Sequence, residues 1–330
     1  DAGNTEGALV GVASIVAGAR HTCALVVGGG VACWGRNDFG QLGAPASEPV
    51  ATPKRVAGLT GVVSLAAGRR HTCAVVDGGA VWCWGDNSQM QLGVGASPAT
   101  SSTPVKVSYL TETATVIAAH ADSTCVLTAN DKIRCWGTGL ADTSFPTGGF
   151  RAISVGTKFG CVSWGSLGCW GDNTPMLGGT SVPAVQTTSG DGHVCGRSRT
   201  GGVMCSASDN TAGQLGLLDQ APHTGGYAVL SNAVHVGAGA KHTCACLDDG
   251  TVACWGSNTY GQCGRPASGL GPIAVPEARG CQEMTAGDVH TCMRRADGTV
   301  ACWGGNSDGQ LGSGQTSDPS TAPVKVVALP

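Results

Sequence analysis

Residues 67–93 read AGRRHTCAVVDGGAVWCWGDNSQMQLG. Two apolar, β-prone runs, Thr72 to Val76 and Ala80 to Trp84, flank Asp77-Gly78-Gly79, whose glycines accept positive φ. That pattern predicts a β-hairpin. Cys73 and Cys83, ten residues apart, are symmetric about Gly78. They therefore face each other across the antiparallel pair, at a Cα separation of about 4.5 Å for a non-hydrogen-bonded position, within reach of a disulfide. Trp84-Gly85-Asp86-Asn87 ends the second strand in a turn, and Leu92 of Gln91-Leu92-Gly93 returns inward. A hairpin of this size lacks a core of its own and has to stack on neighbours.

Imperfect copies supply those neighbours, and a repeat of this length governs the whole fold. The spacing pairs Cys23 with Cys33, Cys73 with Cys83, Cys125 with Cys135 and Cys161 with Cys169. It continues with Cys195 and Cys205, Cys244 and Cys254, and Cys292 and Cys302. The fourth pair is eight apart instead of ten, which keeps both thiols on one face because two residues are one strand period. Trp-Gly recurs at Trp34, Trp84, Trp136, Trp170, Trp255 and Trp303, while the fifth copy has Ser206. Seven repeats result. Between hairpins lie two further short runs, Pro53 to Val56 then Val62 to Ala67, and Pro104 to Val107 then Thr115 to Ala119. They complete a four-stranded unit. Pro323 to Val326 matches the first run and Gly11 to Ala17 the second, so the two termini together complete one unit and close a ring.

AGARHTCAL (17–25) with CWGRNDFGQLG (33–43), AGAKHTCAC (238–246) with CWGSNTYGQCG (254–264), and AGDVHTCMR (286–294) with CWGGNSDGQLG (302–312) carry a family resemblance. The chain resembles the regulator of chromosome condensation repeat family, in an exported, disulfide-rich, bacterial type of member. The resemblance implies an all-β fold, a single seven-bladed β-propeller of four-stranded blades over residues 1–330, closed by pairing of the N- and C-terminal strands. The third copy lacks the Gly-Gln-Leu-Gly phrase and the fourth has Phe159 in place of His.

Composition narrows the class. The chain has 330 residues, 42% hydrophobic and 12% charged, 54 glycines and a net charge of −3. Such a charge, with no basic run, gives no footprint for nucleic acid. No run approaches the about 20 apolar residues of a membrane helix, so no membrane insertion is expected. Seventeen cysteines in paired spacing imply an oxidising compartment, extracellular, cell-surface or periplasmic. With no signal-peptide pattern at Asp1, the reading is a mature exported protein. Three cysteines remain. Cys263 replaces the inward Leu of its repeat and Cys281 opens the next strand, which suggests an eighth bond, Cys263 to Cys281, leaving Cys246 free; a Cys246 to Cys263 bond competes with it.

No nucleophile-elbow, zinc-protease or phosphate-loop phrase occurs, so the expectation is no catalytic residue, no metal and no cofactor. His21, His71, His193, His242 and His290 recur at one position of the repeat, in five of its seven copies. A metal gathers its ligands at one place, so this spacing predicts imidazoles hydrogen-bonding a neighbouring backbone. The two residues between the Gly and His of the repeat vary in a constant frame, and the resemblance implies that they line one face near the central channel. They nominate Arg20, Arg69, Arg70, Asp122, Lys158, Asp191, Lys241 and Asp288 as binding residues, with a basic arc at Arg20, Arg69 and Arg70. Solvated or locally paired charges are the competing reading.

The absence of a basic tail argues against the role of the family's nucleotide-exchange members. Ala19, Arg69, Ala240 and Asp288 replace the tryptophans of the plant ultraviolet photoreceptor relative. What remains is a non-catalytic exported scaffold binding a protein or surface polysaccharide through one face. The alternatives are an inhibitor resembling the propeller β-lactamase inhibitor and a self-assembling surface or filament subunit.

Overall fold

The computed structural model describes residues 7–145, 148–172, 184–266 and 269–329. The second repeat shows how the sequence becomes a blade. Val62–Ala67, His71–Val76, Val81–Asp86 and Thr100–Lys106 form one antiparallel sheet in chain order. Asp77 to Gly79 make the turn, with the Val76 amide donating to the Ala80 carbonyl and the Gly79 amide to the Val76 carbonyl, each at 2.9 Å. Cys73 registers opposite Cys83, the Cα atoms 4.1 Å apart.

The other sheets repeat this order over 12–55, 114–137, 152–171, 186–230, 233–274 and 281–325, giving seven blades and no helix among the described residues. Five sheets have four strands; the third and fourth have three among the described residues. In blade 3 a single bridge, Thr143 to Ile133, stands where a fourth strand would pair. The seven innermost strands touch in cyclic order, and Cys281–Ala286 packs on Val12–Ala17 to close the ring. The terminal segments do pair: Ala8 bridges Val327, and the Leu9 amide donates to the Val326 carbonyl at 3.0 Å. The first and last full strands, however, belong to different blades, so this pairing joins blade 7 to blade 1 and completes no mixed sheet.

The core lies between blades. Each hydrophobic cluster draws on two neighbours, as where Leu25, Val31, Leu42 and Val56 of blade 1 pack on Val62, Leu65 and Trp84 of blade 2. A polar clasp crosses the same seam. The carbonyl of Gln41 accepts from the Thr72 hydroxyl and from the Trp84 indole, both at 2.9 Å, and Thr72 Oγ1 sits 2.9 Å from His21 Nε2. A hydroxyl has one proton. Thr72 gives it to Gln41, so it must accept from His21, which fixes the imidazole as the neutral Nε2–H tautomer. The same clasp recurs through the carbonyls of Gln91, Gln214, Gln262 and Gln310. The repeated histidines thus bond the next blade's threonine side chain, not a backbone group.

Between blades 3 and 4 the clasp is missing. Ser123 replaces the His, Gly160 the Thr, and the Trp170 indole nitrogen is buried without a partner. At the next seam Phe159, fully buried, stands for the His and Val194 for the Thr. Local opening follows the weakest set of contacts. Backbone amides of Phe159–Ser163 are therefore expected to exchange faster than those of His71–Val76 in native-state hydrogen exchange; equal protection in both strands would contradict this.

All seven hairpin disulfides form as the spacing requires. Cys23 bonds Cys33, Cys73 bonds Cys83, Cys125 bonds Cys135 and Cys195 bonds Cys205. Cys244 bonds Cys254 and Cys292 bonds Cys302 in the same way, and Cys161 bonds Cys169 across the shorter turn. The eighth corrects the sequence reading. Cys246 bonds Cys281, and Cys263, not Cys246, is the free and buried thiol. Cys246 lies two residues beyond Cys244, and its strand packs on the innermost strand of blade 7, which Cys281 opens. The bond therefore staples two blades. Cys263 is held back in its turn by its amide bond to Asn258 Oδ1, with its thiol toward the Ser257 carbonyl at 3.3 Å, and burial pushes that thiol up to about 12. Non-reducing peptide mapping should recover Cys246 with Cys281, and iodoacetamide should label Cys263 only after denaturation. Labelling of the native protein would refute its burial.

Candidate functional site

Each inner strand ends at one face of the ring, where the Gly-x-x-His segment turns into the next strand. At that turn the repeat requires glycine. A Cβ at Gly18 would come within 2.6 Å of His21 Nδ1 and 2.5 Å of the Gly68 carbonyl. Only the third repeat departs, and in two linked positions: His120 replaces the glycine, and Ser123 replaces the histidine that would have collided with it. The missing clasp thereby opens room for an imidazole at the mouth of the channel.

The mouth is a cavity of about 20 Å³ lined by Arg69, His120, Asp191 and Asp288 among the small residues Ala19 and Ala121. It sits on a wider channel of about 190 Å³ lined by all seven inner strands. His120 Nε2 lies 2.9 Å from Asp191 Oδ1, which also accepts from the Thr157 hydroxyl at 3.0 Å. Burial works against ionisation of Asp191, but these two hydrogen bonds and the His120 and Arg69 charges hold its carboxyl below the usual range. Asp288 goes the other way. Burial pushes it up and the Asp191 charge adds to that, outweighing His120, Arg69 and Arg20.

The nominated residues divide into two circles. Arg69, Asp191 and Asp288 gather at the mouth. The second residue of each pair lies outside it, and three of these reach the preceding blade. Arg20 pairs with Asp308 at 3.1 Å, Lys241 with Asp209 at 3.5 Å, and the Arg70 guanidinium stacks 4.7 Å from the Phe39 ring centre. Arg69 faces Asp122 at 3.7 Å, and Lys158 is exposed, at a φ of 66°. The basic arc is present in space, but each of its three guanidinium groups already has a local partner. Sequence reasoning missed His120, Asp209 and Asp308. The signal for His120 was the paired exchange of Gly and His within one repeat. Among the described residues no three His, Cys, Asp or Glu side chains gather as a metal would need.

Profiles of the regulator of chromosome condensation (RCC1) repeat match residues 28–75, 78–127 and 249–293, and, in a second form, 12–41, 62–91, 233–262 and 282–310. The mouse (Mus musculus) X-linked retinitis pigmentosa GTPase regulator is 30% identical over 146 residues, 41% of this chain and 14% of that protein. The chain thus spans about a seventh of that relative's length. Among solved structures, Prp20p from Saccharomyces cerevisiae is similar with a TM-score of 0.78 at 19% identity, covering 92% of this chain and 87% of that one. Human WBSCR16 gives 0.77 at 18%, covering 90% and 94%. The CRINKLY WD40 ectodomain of the Arabidopsis thaliana receptor kinase ACR4 gives 0.60 at 19%, covering 95% and 100%. These likenesses concern the propeller fold. With repeat matches over more than half of its length, in phase with the blades, the chain belongs to the regulator of chromosome condensation (RCC1) repeat family.

Proposed function

We propose that this chain is an exported interaction module, without catalysis of its own, that holds a protein partner against the face bearing the channel mouth. One observation carries the reading: a clasped, disulfide-stapled frame presents two concentric circles of mixed charge on that face and short Gly-rich hairpin tips on the other. Binding surfaces are commonly variable loops on rigid scaffolds. Eight disulfides support an oxidising compartment, and no helix is long and apolar enough to cross a membrane among the described residues. Two likenesses bear on the role. Prp20p binds Gsp1p and histones, and the ACR4 propeller is a receptor kinase ectodomain.

Affinity capture from culture fluid or cell envelope tests the reading. An Arg70→Glu, Lys158→Glu variant of the mouth face is expected to retain its partner at least about tenfold less well than wild type. An Asp77→Lys, Asp248→Lys variant, altered at hairpin tips of the opposite face, should match wild type. Equal capture by all three proteins would discard this face as the binding surface.

A further inference from the structure

We propose that the channel mouth is a socket for one cationic side chain, an arginine or lysine carried on a protruding loop of a protein partner, with Asp288 as its counter-ion. This rests on the reading of the mouth face as the binding surface and names what that surface recognises.

The first support is an inventory of charge. Around the mouth, Arg20 is paired with Asp308, Arg69 with Asp122, Lys241 with Asp209, and His120 with Asp191. Asp288, half-buried in the same wall, has no hydrogen bond or ion pair to its carboxyl among the described residues. Arg70, stacked on Phe39, and the exposed Lys158 lie outside the mouth, and the cations nearest to Asp288 are already engaged, so among the charged groups lining the mouth Asp288 is the one left without a partner.

Geometry supplies the second support. The cavity, about 20 Å³, has room for about one water-sized group, the size of an ammonium or one end of a guanidinium. Its rim is made of small groups, Ala19, Ala67 and Ala121, against which an aliphatic stem can lie while its charged head goes inward. The neighbouring acids are fixed: Asp191 is held by His120 and Thr157, so it cannot swing across to satisfy an entering cation alone. Asp288 is the group left to do so. Burial and the Asp191 charge push its carboxyl up more than His120, Arg69 and Arg20 bring it down, and a cation placed beside it would offset the remaining cost.

The test uses the folded chain and a defined probe. Acetyl-Gly-Ser-Arg-Ser-Gly-amide is titrated into the protein and followed by amide chemical shifts, alongside the same peptide with neutral citrulline in place of arginine. The arginine peptide is expected to shift the amides of Ala19, Gly287 and Asp288 saturably, and to lower the Asp288 carboxyl titration. The citrulline peptide should bind at least about tenfold more weakly, as should the arginine peptide to Asp288→Asn. Asp248→Asn, on the opposite face, should bind like wild type. Equal binding of the two peptides, or unchanged binding by Asp288→Asn with its fold confirmed by the same spectra, would overturn the socket. Loss of the socket with capture still sensitive to Arg70→Glu, Lys158→Glu would remove this inference and leave the interaction face standing; loss of both would remove the two together.

Discussion

Acidification from pH 7 to pH 5 is expected to remove up to about 2 kcal/mol of stability for each of five buried imidazoles, and less for the half-buried His235. Burial lowers His21, His193 and His235 to about 4, and His71, His242 and His290 to about 3. Five of them donate from Nε2 to a threonine of the next blade, while their Nδ1 atoms are buried without a partner. A second proton would sit on that Nδ1 and leave a buried, charged N–H without an acceptor. Because the folded values lie below the unfolded value of about 6.5, the unfolded chain binds more protons in the interval between them. The contribution is therefore complete above about pH 6.5 and is lost as pH falls toward 4 and then 3. Each imidazole adds a slope of at most about 1.4 kcal/mol per pH unit, and opening of a single clasp reduces it. The lowered carboxyls of Asp38, Asp191 and Asp209 act further down, their contribution being lost as pH falls from the ordinary carboxylate value of about 3.9 through their lowered folded values. Thermal unfolding under non-reducing conditions from pH 7.5 to 4 measures the effect, and His71→Asn should reduce the slope by one proton. A midpoint that stays constant between pH 7 and 5 would rule the mechanism out.

The same clasp shows why the fold was legible in the sequence and the site was not. Cys spacing, Trp-Gly and the Gly-Gln-Leu-Gly phrase are local statements, each repeated, and a period of two along a strand converts spacing directly into facing. Cys23 with Cys33 and Cys292 with Cys302 face each other for that reason, and Cys161 and Cys169 keep the facing with a shorter turn. Contacts across blades leave no such trace. Cys246 finds Cys281 because two separately folded sheets bring them together, whereas Cys263 was favoured because it replaces the inward Leu of its repeat just before the strand that Cys281 opens. The charges behaved similarly. Arg20 and Asp308 are 288 residues apart in sequence and meet only because the ring closes. The nominated positions did fall on one face, since the repeat frame fixes where each turn emerges. Which of them kept a free charge depended on neighbours one blade away.

Gly68→Ala is expected to destabilise the propeller by about 3 kcal/mol or more, and His71→Ser to restore part of the loss. The added methyl would overlap Cε1 of the His71 ring and approach its Nδ1 to 2.5 Å and the Ala121 carbonyl to 2.9 Å. The imidazole cannot retreat, since Nε2 is bonded to Thr124 Oγ1 at 2.7 Å and the ring is fully buried. The carbonyl belongs to the next blade and is fixed by the Arg69 amide at 2.7 Å. The chain already contains the compensated pair, His120 with Ser123, in which a side chain occupies the glycine site because the histidine is gone. A double-mutant cycle by thermal or denaturant unfolding isolates the coupling. His71→Ser alone should cost stability through its lost clasp, yet the double variant should exceed the sum of the singles by about 1–3 kcal/mol. Rescue stays incomplete because the Ala121 carbonyl remains in place. Strict additivity would show that the glycine is needed for some reason other than the ring beneath it. It would also separate His120 from Ser123, so that the imidazole at the channel mouth would no longer be explained by the clasp that blade 3 gave up.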